Sequence, residues 1–231
     1  MLIFNQKNCL LCGISTNKDF CHACFSNLPR LPDHHCPICL RATTTNNRCG
    51  ICIADPPKFT RTTAALRYAF PVDALIHALK YQANLPIAPI LAKLLCQYIS
   101  TTQLPDLIIP MPLHPNRLKE RGFNQALEIS RYIAKKYNVP LLLDGCKRTK
   151  HTAPQMGLPW KSRHKNIRNA FACKIELSGM HVAVIDDVMT TGATLNELAK
   201  VLHKQGAREI NNWIVSRTLL DHSQTQSTMQ F

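Results

Sequence analysis

Residues 182–195 read VAVIDDVMTTGATL, and no other stretch limits the possible folds as tightly. Val182, Ala183, Val184 and Ile185 form a short apolar run of buried-strand type. Two adjacent carboxylates, Asp186 and Asp187, stand at its end. A loop of small residues, Thr190, Thr191, Gly192, Ala193 and Thr194, then opens a helix whose Leu195, Leu198, Ala199 and Leu202 share one face before Gly206. The first N–H groups of a helix have no intrahelical partner, and its dipole is positive there, so such a loop suits an anion. Threonine hydroxyls add donors. The upstream acids can accept from sugar hydroxyls or help hold magnesium. Phosphate at the loop and ribose at the acids together describe a 5-phosphoribosyl group. No Lys follows Gly192 at the place a Walker A loop requires.

The order of strand, paired Asp, T-T-G-A-T and helix resembles the phosphoribosyl-diphosphate (PRPP) motif of type I phosphoribosyltransferases. On that resemblance, Asp186 and Asp187 are the candidate catalytic residues. Elsewhere charge carries the signal. The chain has 28 Lys+Arg against 14 Asp+Glu, a formal charge of +14. That excess favours a polyanionic partner, such as nucleic acid, a phosphorylated substrate or anionic lipid. It is also clustered. No acid lies between Gly145 and Ile175, a stretch holding Lys147, Arg148, Lys150, Lys161, Arg163, Lys165, Arg168 and Lys174.

Eight of the 11 cysteines precede residue 53, as Cys9-x2-Cys12, Cys21-x2-Cys24, Cys36-x2-Cys39 and Cys49-x2-Cys52. Two thiolates at this spacing converge on one tetrahedral ion. Consecutive pairing gives two closed four-thiolate zinc sites, which are structural because no coordination position is left open. Interleaved pairing satisfies the same spacing. Cys96, Cys146 and Cys173 lie outside the pattern and have no evident base partner. The sequence shows no secretory signal and no run near the ~20 apolar residues of a membrane span, so a cytoplasmic protein is expected.

Pro56 and Pro57 mark a linker at 54–60. Beyond it, strands at 62–70, 106–110, 140–143 and 210–216 alternate with helices at 74–81, 87–100 and 123–137. The last helix is expected to turn Phe123, Leu127, Ile129, Ile133 and Ala134 inward. This alternation predicts a parallel α/β sheet flanked by helices, behind an N-terminal double zinc-ribbon module. The boundaries are 1–54 for the module, 60–220 for the sheet and 221–231 for a tail. Ligands in such sheets bind beyond the strands' carboxyl ends, which puts residues 186–194 and the turn at 110–114 on one rim. Arg117 and Arg121 are four apart and suit a phosphate clamp. Lys119 adds charge, and Asn124 and Gln125 enter the next helix. Residues 152–171 read as a long basic loop running into a short helix. There Trp160 is placed to stack on a base or an Arg.

Taken together, these motifs are similar to those of the ComF competence-protein family (ComFC and GntX-like proteins). The resemblance runs through both zinc ribbons, Leu79-Lys80-Tyr81, the segments 109–114 and 121–125, Gln155-Met156-Gly157-Leu158, the segment 163–168, and 185–194. Met111 stands where the family usually has Val. The resemblance implies a type I phosphoribosyltransferase fold. Thr190, Thr191, Gly192, Ala193 and Thr194 would bind the 5-phosphate, and Met111 and Pro112 would face the diphosphate, with magnesium at Asp186 and Asp187. It also implies a role in natural transformation: handling incoming single-stranded DNA at the cytoplasmic face of the inner membrane, with the translocation machinery and a ComFA-like helicase.

Two function classes follow. In the first, Arg117, Lys119, Arg121, Asn124, Gln125, Lys161, Arg163, Lys165 and Arg168 contact a single strand without reading its sequence. In the second, the protein is a magnesium-dependent phosphoribosyltransferase whose acceptor the sequence does not name.

Overall fold

The structure, a computed structural model, describes residues 7–150 and 167–219. Lys161, Arg163, Lys165 and Trp160, with most of the expected basic loop, lie outside the described residues, as does the tail at 221–231. The N-terminal module contains β1 (Lys7–Asn8), β2 (Ser15–Thr16), α1 (His22–Ser26) and α2 (Gly50–Ala54). The sheet follows, with β3 (Arg61–Arg67), α3 (Val72–Tyr81), α4 (Ile87–Cys96), β4 (Leu107–Pro110), α5 (Pro115–Arg121) and α6 (Gln125–Tyr137). The chain continues through β5 (Cys146–Arg148), β6 (Phe171–Cys173), β7 (His181–Met189), α7 (Ala193–Lys204) and β8 (Glu209–Arg217).

Four strands form the main sheet in the order β3-β8-β7-β4, every neighbouring pair parallel. Parallel sheets are covered on both faces, and β7 shows why its sequence is apolar without alternation. Val182 and Val184 pack on one side with Leu195, Leu198 and Leu202 of α7. Ala183 and Ile185 pack on the other with Leu91 and Leu95 of α4 and Ile129 and Ile133 of α6. Past β4 the sheet continues as a single parallel bridge, Ile108 to Leu141, rather than the strand expected at 140–143.

The N-terminal module borders β3, the edge strand. The Thr62 N–H donates to the Pro37 carbonyl at 2.9 Å, and the Arg67 N–H to Pro29 at 2.8 Å. These bonds occupy donors that an open edge would offer to another chain. The linker is strapped to α7: Lys58 N–H donates to Asn196 at 2.7 Å, and the Lys58 carbonyl meets His203 Nε2 at 2.7 Å.

Three differences from the expected elements have local causes. The strand expected to reach Phe70 ends at Arg67, and the chain turns through Pro71 into α3. The helix expected from Phe123 starts at Gln125, because the Asn124 side chain accepts from Ala126 N–H and caps it. Its buried face is therefore Gln125, Ala126, Ile129, Ser130, Ile133 and Ala134, with Leu127 only half-buried. Finally, β5 and β6 form an antiparallel pair that the sequence reading does not anticipate, its strands lying on either side of residues 151–166.

Candidate functional site

The cysteines settle into two groups in consecutive order. Cys9, Cys12, Cys21 and Cys24 bring their sulfurs within 4.8 Å of one another, as do Cys36, Cys39, Cys49 and Cys52. Cys12 and Cys21 sulfurs are 3.7 Å apart, and those of Cys39 and Cys49 are 3.5 Å apart. Sulfurs about 2.3 Å from a tetrahedral ion stand about 3.8 Å apart, so each group fits zinc. Electrostatics agree. A backbone bond from Cys21 helps hold the Cys9 thiol at about 6, while side-chain bonding to Cys12 pushes Cys24 up to about 12. Four crowded thiols cannot all ionise unaided, and a divalent cation removes that conflict.

The rim at the carboxyl ends of β4 and β7 gathers many of the residues singled out from the sequence. Gly192, with φ of 82°, turns the chain into α7, and a Cβ there would stand 2.8 Å from Met189 Cε. Thr190, Thr191 and Thr194 stay partly accessible. The Thr191 hydroxyl accepts from Ala193 N–H at 3.2 Å, so this donor is satisfied within the loop. Met111 is buried and Pro112 lies beside it in the same turn. Met111 N–H donates to Ile185 at 2.8 Å, and Asn124 Nδ2 donates to the Met111 carbonyl at 3.0 Å, so Asn124 braces the turn.

The two acids differ. Asp187 is 2% exposed and points into the protein. Gln125 Nε2 donates to its Oδ1 at 3.2 Å, and the Lys80 ammonium forms an ion pair with Oδ2. Oδ2 has no hydrogen bond of ordinary geometry and is balanced by that ammonium charge. Burial opposes the charge on Asp187, but Lys80, then hydrogen bonding from Asp186 and Gln125, outweigh it and hold its carboxyl below the usual range. Asp186 keeps a partly accessible side chain and accepts from Asp187 N–H at 2.9 Å. Burial, reinforced by the neighbouring Asp187 charge, pushes it well above the usual carboxylate range.

Cations ring the acids. Lys80 closes α3, and its ammonium stays charged because Asp187 outweighs the cost of burial. Arg121 donates to Gln125 and lies over the Tyr81 ring, 5.5 Å from its centroid. Arg148 reaches the neighbourhood of Asp186 from β5; burial lowers its pKa and Asp186 opposes the fall. Lys80 and Arg148 were not singled out as ligands from the sequence, although Leu79-Lys80-Tyr81 was noticed as a motif. The Arg117–Arg121 clamp is not assembled as expected: Arg117 pairs with Glu120 at 3.0 Å on its own helix, while Arg121 turns toward Gln125. Lys119 and Arg168 are exposed, and Arg168 offers its carbonyl to Lys150 at 2.8 Å.

Sequence reading also missed Arg217. This side chain, 3% exposed, donates through Nε to the Cys39 carbonyl at 2.8 Å. Through Nη1 it reaches the carbonyls of Met189, Thr190 and Thr218. Burial lowers its pKa to about 10, so it is charged at neutral pH.

No family model matches the chain. It is 36% identical over 206 residues to the DNA utilization protein YhgH of Escherichia coli O157:H7, spanning 86% of this chain and 90% of that protein. It is 37% identical over 178 residues to competence protein F of Haemophilus influenzae, spanning 73% and 78%. The chain belongs to the ComF competence-protein family. A more distant member, competence protein ComFC of Bacillus subtilis, is 25% identical over 242 residues, spanning 91% and 95%. This ComF-family chain has a partial likeness to a solved purine phosphoribosyltransferase from Pyrococcus horikoshii. The TM-score is 0.31, with 21% identity, 68% of this chain and 88% of that one covered. Among its described residues, no helix is long and apolar enough to cross a membrane.

Proposed function

We propose that this protein handles single-stranded DNA during natural transformation, at the cytoplasmic face of the inner membrane and alongside a ComFA-like helicase, through a pocket for a ribosyl phosphate. One observation carries the reading. An acid pair, a small-residue loop at a helix start and the cations Lys80, Arg121 and Arg148 meet on one rim. The names of the relatives, DNA utilization and competence, supply the context. In this reading the loop at 190–194 takes the strand's 5′-phosphate, and the cations that the acid pair holds in place balance further phosphates. Asp186 accepts from sugar hydroxyls only when the ligand is a free ribosyl phosphate, since a 5′-terminal deoxynucleotide in a strand has none. Zinc at the two four-cysteine groups holds the module together, and no step runs through it.

The second reading is a magnesium-dependent phosphoribosyltransferase acting on PRPP. Its chemistry needs a metal to neutralise departing diphosphate, and the acid pair is where that metal would sit. The ammonium of Lys80 already occupies Asp187, and Asp186 resists ionisation, which favours binding over turnover. Calorimetry with PRPP, with and without magnesium, and with 5′-phosphorylated and 5′-hydroxyl oligonucleotides separates the two. The strand reading expects binding of the phosphorylated oligonucleotide whose log affinity falls with log salt by about 0.7 per phosphate contacted. It also expects that binding to fall in Asp186→Ala/Asp187→Ala. Magnesium-dependent PRPP binding with release of diphosphate establishes the enzyme instead. No heat with any ligand refutes the pocket.

A further inference from the structure

The loop at 190–194 has an internal brace tied to a metal group. The guanidinium of Arg217 bonds on one side to the Cys39 carbonyl and on the other to the carbonyls of Met189 and Thr190. Its own backbone lies beside the loop: Arg217 pairs with Met189 in the β7–β8 register, and Thr218 N–H donates to the Met189 carbonyl at 3.0 Å. A trans peptide unit is planar, with its C=O and the following N–H pointing in opposite directions. Pinning the Met189 and Thr190 oxygens onto a buried cation therefore turns the N–H groups of Thr190 and Thr191 the other way. Those N–H groups belong to the loop that the reading above assigns to a phosphate.

Cys39 is a member of the second four-cysteine group. Its carbonyl is fixed only while the knuckle keeps its shape, and a bound ion sets that shape. Cys36, Cys39, Cys52, Phe59 and Met189 also belong to one buried apolar cluster, so the second group and the start of the loop share a core. The first group is attached elsewhere: its neighbour Phe20 packs in the opposite cluster with α4.

We infer that Arg217 is a positioning residue that couples metal occupancy of the second four-cysteine group to the anion-binding shape of the loop at 190–194. The ligand half of this inference rests on the ribosyl-phosphate reading, whereas the effect on loop geometry does not. Coupling between sites is reciprocal. In the full-length, zinc-loaded protein, ribose 5-phosphate slows extraction of the second group's ion by a chelator. The expected factor is about fivefold or more, the lower end of ordinary site coupling. Extraction from the first group keeps its rate, each ion being followed through the NMR signals of its own knuckle. In Arg217→Lys the slowing disappears while both ions remain bound, because an ammonium cannot span the same carbonyls. Arg217→Met is the companion variant. Should either fail to fold, extraction from the wild-type protein still decides the point.

If calorimetry shows ribose 5-phosphate bound but the second ion leaves at an unchanged rate, the coupling is overturned and the pocket stands. If ribose 5-phosphate does not bind, the pocket reading falls. The brace is then judged by the amide signals of Thr190 and Thr191. Shifts in Arg217→Lys, with unmoved signals around Cys9 and Cys12, support it. Unmoved Thr190 and Thr191 signals overturn it.

Discussion

The two four-cysteine groups use the same ligands at the same C-x2-C spacing, yet they serve different parts of the molecule. The first is open: Cys12 is exposed and only Cys9 is buried, and the group meets the body through Phe20 and Lys93–Asp19, an ion pair of 2.8 Å. The second has three buried cysteines that join the core beneath the loop at 190–194. The lesson is that a metal knuckle's role comes from what packs against it. A peripheral knuckle folds its own segment, whereas an embedded one shapes its neighbours.

The largest expected effect tests that contrast directly. Structural zinc contributes on the order of 10–16 kcal/mol in isolated fingers, so losing either ion is severe locally. Cys36→Ser/Cys39→Ser should abolish ribose 5-phosphate binding and cooperative melting of the sheet. Cys9→Ser/Cys12→Ser should lose one zinc but retain both sheet melting and ligand binding. Equal damage from both variants, measured by metal content, circular dichroism and calorimetry, would erase the distinction.

Lys80→Met probes the far side of the same loop. Removing one partner of a buried ion pair costs about 3–5 kcal/mol, because the other charge is left uncompensated. Asp187 has a lowered folded pKa, so its stabilisation is present above the ordinary carboxylate range and is lost as pH falls through the lower folded value. Lys80 has a raised folded pKa, so its share is present below its ordinary value and lost as pH rises through the folded one. Urea melts across pH should show both losses in wild type. Lys80→Met should lose the alkaline one and also abolish or reverse the acid one, because Lys80 is the main group holding Asp187 low, and metal content should not change.

Phe59→Ala and Phe20→Ala sharpen the comparison at similar cost, about 3–5 kcal/mol each for a large core truncation. Phe59 sits in the cluster with the second group, and its ring lies 3.8 Å from where a Cβ on Gly192 would stand. Only the Phe59 variant should weaken ribose 5-phosphate binding. A matched loss of affinity from Phe20→Ala would argue for a global effect instead.

The smallest effect is expected from Asp186→Asn. The folded pKa of Asp186 is raised, so its ionised form destabilises the fold at neutral pH, and protonation on acidification relieves this. The variant should melt higher, by about 2–4 °C for each kcal/mol relieved, while binding ribose 5-phosphate more weakly. A lower melting temperature would mean that the hydrogen bond from Asp187 N–H matters more than the relieved charge.

Much of this was legible in the sequence because it depends on local pattern. The apolar run at 182–185, the small-residue loop and the helix face of Leu195, Leu198 and Leu202 are set by nearest-neighbour chemistry, and so is each cysteine knuckle. Asn124 shows how the local code also misleads. Hydrophobic periodicity reached back to Phe123, but a side-chain cap two residues before Ala126 set the true start.

What sequence alone determined was the type of most elements of the main sheet, the presence of two four-cysteine groups suited to a metal ion, and an acid-plus-loop motif. Tertiary structure alone decided which acid is spoken for. Lys80 lies 107 positions before Asp187 in the chain, and no local pattern reports a partner so distant. Arg217 and Cys39, separated by 178 positions, are the same case. A buried charge must find its counter-charge or carbonyls wherever the fold brings them, because the interior offers no water to do so. Such pairings are fixed by packing, after the local code has been read out.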